Sequence, residues 1–224
     1  MAYEAMMNRG YLRKFWYPRY QFEYFPRQLC YLASCIERTS SIEGDVVEVG
    51  CAHGLTTTFL YEYMKDSGIE KSYNCFDTFS GFTEANISVE LNKRMKIYNY
   101  EREYKNNNVD WFKESLSRRN ITDINVVQAD ICTIDESKLP SKIAFCLIDV
   151  DLYEPVKIGL EKIYPRISAG GIIVVDDCWT KKKHMWVESV GSAYDGAMQA
   201  YKEFTSREKL PEKFVETKLA IIEK

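Results

Sequence analysis

The chain has 224 residues, 46% hydrophobic and 28% charged, with a formal net charge of −3, enough to bury one α/β core, so a single domain over residues 1–224 is expected. No apolar run nears the ~20 residues that span a bilayer, and the start "MAYEAMMNRGYLRKFWYPRY" is aromatic and basic where a signal peptide has an aliphatic core, which points to a cytoplasmic protein without a membrane partner. The slightly acidic balance argues against a nucleic-acid partner, with the run Lys181, Lys182 and Lys183 the one local exception.

In chain order, residues 1–42 read as a helical and aromatic cap whose "RKFWYPRYQFEYF" covers the core edge or a partner subunit. "DVVEVG" is the first short β-branched run, and helical spacing follows over Leu55–Ser67. "YNCFD" is the second run. Residues 82–106 are then polar and rich in charge and tyrosine, either a lid that closes over a bound molecule or a plain surface excursion. Helical spacing returns over Val109–Arg119. "INVVQAD", "IAFCLID" and "GIIVVDD" follow, the last two separated by a helix over Pro155–Ile167 with Val156, Leu160 and Ile163 on one stripe. Runs of this kind, each ending in Gly or an acid, read as buried parallel strands. After Asp177 a helix around Gly196–Arg207 precedes "EKFVETKLAIIEK", two strand-like pieces about a short turn. The fold class expected is α/β: a Rossmann-like, doubly wound, mostly parallel seven-stranded sheet with an antiparallel C-terminal hairpin. Seven cysteines, scattered through apolar runs without CxxC pairs, read as reduced packing residues.

The first chemical motif is "VVEVGCAHG", Val46–Gly54. A strand carrying Glu48 turns through Gly50, Cys51, Ala52 and Gly54 into a helix, so backbone N–H groups and the helix dipole face a ligand above the strand. The glycine spacing of four departs from the G-x-G-x-x-G of a dinucleotide fingerprint. Asp77, followed by Thr78, ends the next strand, where a carboxylate suits the two hydroxyls of a ribose in nicotinamide and adenosylmethionine sites alike. Asp130 closes a third strand, in reach of an adenine amino group. Each acid alone is explained as a helix cap or an exposed strand end, whereas three in order on three strands read as an adenosyl-cofactor site.

"CLIDVDLYEP", Cys146–Pro155, begins like an interior segment and then sets Asp149, Asp151 and Glu154 where burial is costly. Asp149 ends the fourth strand and Asp176 and Asp177 end the fifth, its neighbour in a doubly wound sheet, so three carboxylates converge at the C-terminal edge. Hard oxygen donors without His or Cys suit Mg²⁺, Mn²⁺ or Ca²⁺ better than zinc. Asp151 shares strand parity with Asp149 provided the strand continues that far.

"GDVVEVGCAHG", "FDTFSGF", "LIDVDLYEPVKIGLEKIYPRISAGGIIVVDDCW" and "GAMQAYKEF" together resemble the macrocin and mycinamicin sugar O-methyltransferase family, from about Gly44 to Phe204. The resemblance implies a class I S-adenosylmethionine enzyme that needs a divalent metal. Glu48, Gly50 and Gly54 would lie at the methionine end of the cofactor, Asp77 at its ribose, and Asp149, Asp176 and Asp177 on the metal. With their neighbours, the expected cofactor set is Glu48, Gly50, Cys51, Ala52, Gly54, Asp77, Thr78, Asp130 and Asp149. The expected function is Mg²⁺-dependent O-methylation of a small-molecule hydroxyl, on a natural-product sugar or a related polyol or phenol, with Asp151 and His184 as catalytic candidates. A nicotinamide-dependent oxidoreductase and a non-catalytic scaffold of the same fold are the alternatives. Two departures stand out: "VGCAHGLTT" where the family has a Trp-Arg-Gly-Gly type of turn, and residues 82–106. The Tyr-rich start favours a homodimer.

Overall fold

The computed structural model describes residues 22–180 and 193–224. Seven strands, Asp45–Val49 (β1), Tyr73–Asp77 (β2), Ile124–Gln128 (β3), Ile143–Ile148 (β4), Ile167–Val175 (β5), Phe214–Val215 (β6) and Leu219–Glu223 (β7), form one sheet in the order β3-β2-β1-β4-β5-β7-β6. Strands β1 to β5 pair in parallel, while β7 runs antiparallel between β5 and β6. The sheet and its C-terminal hairpin are those expected from the sequence.

Alternation along each strand sorts the side chains onto two covered faces. On one, Val46, Tyr73, Cys75, Phe145, Leu147 and Val174 pack with Leu32 and Ile36 of α1 (Pro26–Arg38), Leu60 and Met64 of α2 (Leu55–Asp66) and Phe112 of α4 (Val109–Ser117). On the other, Val47, Val49, Cys146, Ile148 and Val175 meet Val156 and Leu160 of α5 (Tyr153–Ile163) and Ala200 and Phe204 of α6 (Gly196–Glu208). β4 is central and covered on both faces, which is why "IAFCLI" is an unbroken apolar run. A short helix, α3 (Glu84–Ser88), precedes α4 in the polar segment after β2. No helix among the described residues is long and apolar enough to cross a membrane.

The helix boundaries fall within one or two residues of the expectation except at the end of α5. α5 stops at Ile163 instead of reaching Ile167, because Pro165 offers no N–H to continue the hydrogen-bond ladder of the helix. Tyr164–Arg166 tighten into a 3-10 turn, and Ile167 already belongs to β5.

Candidate active site

The strand ends at the C-terminal edge are laced together by backbone bonds. Gly50 donates to the Phe76 carbonyl at 2.8 Å, Asp149 to Val49 at 2.8 Å and Asp176 to Ile148 at 3.0 Å. Gly50 has φ +90°, and a Cβ there would lie 1.7 Å from the Asp149 carbonyl oxygen, so only glycine lets the β1 and β4 loops meet. The turn enters α2 through Gly54, and no side chain caps the N–H groups of that helix, leaving a positive helix end beside the cleft.

Asp77 closes β2 beside this turn. Its Oδ2 accepts the N–H groups of Cys51 at 2.7 Å and Ala52 at 2.9 Å, and its Oδ1 that of Phe79 at 2.6 Å. The carboxylate therefore organises the glycine turn as well as facing the cleft. Thr78 Oγ1 donates to the Gly81 carbonyl at 2.7 Å. Asp130 accepts from the Cys132 N–H at 2.8 Å and from Thr83 and Asn86 side chains at 3.3 Å each. Glu48 is 1% exposed, and its Oε2 accepts the Tyr73 hydroxyl at 2.8 Å. Burial pushes the Glu48 carboxyl up to about 7, with hydrogen bonding offsetting only part of the effect. Every expected cofactor residue except Gly54 lines one cleft of about 970 Å³, open mouth included. Gly54 is buried instead, where a Cβ would meet the Phe112 ring at 2.8 Å.

Beyond the cleft's inner end the remaining acids gather. Asp149 Oδ2 accepts the hydroxyl of the buried Tyr24 at 2.7 Å. β4 ends at Ile148, so strand parity does not bring Asp151 to this place; a left-handed backbone does, at φ +57°, matched by φ +56° at Asp177. Left-handed conformations at non-glycine residues are strained, and they cluster here at the site. Asp176 is buried, with Oδ2 bound by the Lys218 ammonium and Oδ1 without a hydrogen-bond partner. Asp177 Oδ1 accepts the Trp179 indole N–H at 3.1 Å and lies 3.9 Å from Lys218 Nζ. Burial, and then the neighbouring charge of Asp176 for one and Asp177 for the other, raises the carboxyls of Asp149 and Asp151 well above the ordinary range. Burial raises Asp176 too, held back by Lys218. Burial opposes the charge on Lys218, yet the pull of Asp176, Asp177 and Asp149 takes its ammonium above the usual lysine value.

This donor set suits a hard divalent cation by its chemistry, and the buried, unpartnered Asp176 Oδ1 is an atom such an ion would satisfy. The carboxylate oxygens are nonetheless spread. Among the described residues the one trio of candidate ligand atoms within 4.8 Å of one another is Glu48, Cys51 and Cys75, under the glycine turn.

Asp151 lines the cleft beside Asp149, whereas Asp176 and Asp177 are off its wall. His184 and Lys181 to Lys183 lie outside the described residues. Tyr24, Tyr104 and Lys218 escaped the sequence reading. Tyr104 lines the cleft, and the charge of Asp151, followed by burial, raises its phenol. Lys218 had a visible signal: it is a charge at the mouth of the apolar run "LAII", opposite "VVDD".

A parallel sheet with an antiparallel seventh strand, a glycine turn after β1 and acids closing β2 to β5 define a Rossmann-like methyltransferase. The sequence profile of the family described as Macrocin-O-methyltransferase (TylF) matches residues 26–215, and the chain belongs to that family. It is an S-adenosylmethionine-dependent O-methyltransferase, which sets aside the nicotinamide and scaffold alternatives. Solved structures agree on the fold. The O-methyltransferase NovP is similar at 15% identity and TM-score 0.69, over 88% of this chain and 79% of that one. Calicheamicin methyltransferase CalS11 follows at 18% and 0.68, over 100% and 85%. The S-adenosylhomocysteine-bound Podospora anserina methyltransferase PaMTH1 stands at 12% and 0.59, over 90% and 81%. No curated protein matches the chain.

Proposed function

We propose that the chain methylates a hydroxyl of a small natural-product sugar, or of a related polyol, with Asp151 as the general base. The observation that carries this reading is the meeting of the cofactor cleft and the aspartate cluster at Asp149 and Asp151. CalS11, itself a TDP-rhamnose 3′-O-methyltransferase, shares the fold and supports a sugar as acceptor.

S-adenosylmethionine supplies, when bound, a sulfonium methyl group. The glycine turn and the N-terminus of α2 would hold the carboxylate of its methionine part, Glu48 its ammonium and Asp77 its ribose hydroxyls. Asp151 would take the acceptor's hydroxyl proton as that oxygen is methylated, the products being a methyl ether and S-adenosylhomocysteine. Asp149, Asp176 and Asp177 would hold a divalent cation, which when bound would lower the pKa of the acceptor hydroxyl and fix its oxygen. Seven unpaired cysteines are in keeping with a reducing, cytoplasmic setting. The proposed homodimer surface falls mostly on residues outside the described ones.

The test is Asp151→Asn. Turnover on a sugar acceptor should fall by roughly 10²- to 10⁴-fold while S-adenosylhomocysteine binding persists. Unchanged turnover would remove Asp151 from the mechanism.

A further inference from the structure

Lys218 occupies an unusual position for a lysine. It precedes β7, directly after two left-handed residues, Glu216 at φ +46° and Thr217 at φ +70°. Its carbonyl accepts the Cys178 N–H at 2.7 Å, which ties its backbone to the strand end that carries Asp176 and Asp177. The side chain is 7% exposed. Nζ bonds Asp176 Oδ2, lies 3.9 Å from Asp177 Oδ1, and sits 4.4 Å from the Tyr24 ring centroid and 5.8 Å from that of Trp179. Both rings are tied to the same cluster, since Tyr24 donates to Asp149 and Trp179 to Asp177. Two aromatic faces hold an ammonium in place by cation–π attraction, so it is boxed where the carboxylates meet. Among the described residues it is the one cation paired with any of Asp149, Asp151, Asp176 and Asp177.

We propose that Lys218 is the resident cation of the aspartate cluster: it holds Asp176 and Asp177 together when no divalent ion is bound, and a divalent ion must compete with it for Asp176. The proposal rests on the reading of these aspartates as the metal-facing wall of the methyltransferase site. Two physical consequences follow. Crowded carboxylates repel one another, so the cluster without its ammonium needs another positive charge to stay assembled. An ion entering a cage that already holds an ammonium meets one fewer uncompensated charge and a nearby repulsion, and divalent affinity follows the charge count of its ligands.

The experiment titrates EDTA-stripped protein with Mn²⁺ by calorimetry and follows melting with and without the ion, in the wild type, Lys218→Met and Lys218→Arg. Met keeps the length and the contacts with the two rings without the charge. The expected result is Mn²⁺ binding on the order of tenfold tighter in Lys218→Met, with charge count setting affinity. That variant should also melt lower than the wild type in EDTA and recover more on adding Mn²⁺, whereas Lys218→Arg should track the wild type in both measurements. Mn²⁺ affinity in Lys218→Met equal to or weaker than in the wild type would overturn the proposal. Should Lys218→Met fail to fold in EDTA, refolding with Mn²⁺ decides: recovery supports a replaceable cation, and failure with the ion as well rejects it. S-adenosylhomocysteine binding is measured on the same samples. Its absence in the wild type would defeat the methyltransferase reading, while its presence with unaltered Mn²⁺ affinity defeats the role of Lys218 alone.

Discussion

Glu48 and Asp77 show how single side chains in the cleft carry more than one duty. A buried glutamate whose carboxyl is pushed up to about 7 is half-protonated near neutral pH, yet to face a cofactor ammonium it must be ionised. S-adenosylhomocysteine affinity should therefore rise roughly tenfold between pH 6 and pH 8, and Glu48→Gln should flatten that rise, both read by calorimetry. A flat wild-type profile would place the ammonium elsewhere. Asp77 accepts three N–H groups, two of them from the glycine turn. Charge-assisted bonds of this kind contribute about 1.5–3 kcal/mol. Asp77→Ala should weaken S-adenosylhomocysteine binding by one to two orders of magnitude, on that scale, and also lower the melting temperature, because the turn loses its acceptor. Weakened binding without a melting change would mean that Asp77 acts on the ribose and not on the turn.

At the scale of elements, the segment after β2 is docked through buried charge. Glu90 is fully buried, and its Oε1 accepts the Tyr153 N–H at 2.7 Å, capping the first turn of α5, which has no side-chain cap of its own. Glu90 also bonds Arg94, and Arg94 reaches Asp195, the residue before α6, at 2.6 Å. Lys96 joins the same carboxylate at 2.7 Å. One network thus fastens residues 90–96 to the N-terminal ends of two helices whose apolar faces cover β4 and β5. Removing one partner of a buried pair is strongly destabilising because the other charge is stranded. Glu90→Ala should lower the unfolding free energy by about 3 kcal/mol in urea titration, with α5 losing its cap as well. A change below about 0.5 kcal/mol would show the network to be dispensable.

For the whole molecule, the site makes stability depend on pH in an inverted sense. Carboxyls of Glu48, Asp149, Asp151 and Asp176 are all raised in the folded state, to about 7 for Glu48 and about 6 for Asp176, with burial the leading cause in each. The native state then binds more protons than the unfolded chain, whose carboxyls titrate near pH 4, so stability falls as pH rises through 6 to 7. Lys218, raised above the lysine value, stays charged over this range in both states and does not offset the loss. In EDTA the protein should melt at a higher temperature at pH 6 than at pH 8, by scanning calorimetry. The opposite order would mean that these carboxyls are not held up by burial.

The strands, their order of closing acids and the glycine turn were legible from residues alone, because burial on two faces writes continuous apolar runs and a ligand edge writes acids at their ends. So was the family, through "LIDVDLYEP" and "GIIVVDD", whose spacing survives any detail of packing. Three decisions lay beyond the chain's local pattern. Asp151 reaches the cluster by a left-handed backbone after the strand has ended, which the alternation rule cannot anticipate. Glu90 caps a helix 63 positions further on. Lys218 meets Asp176 across 42 positions, because an antiparallel β7 brings the start of one strand beside the end of another. Periodicity is a local property and fixes which face a residue shows. Which charge stands opposite it, and so whether the aspartates meet an ammonium or a metal ion, is decided only when distant segments pack.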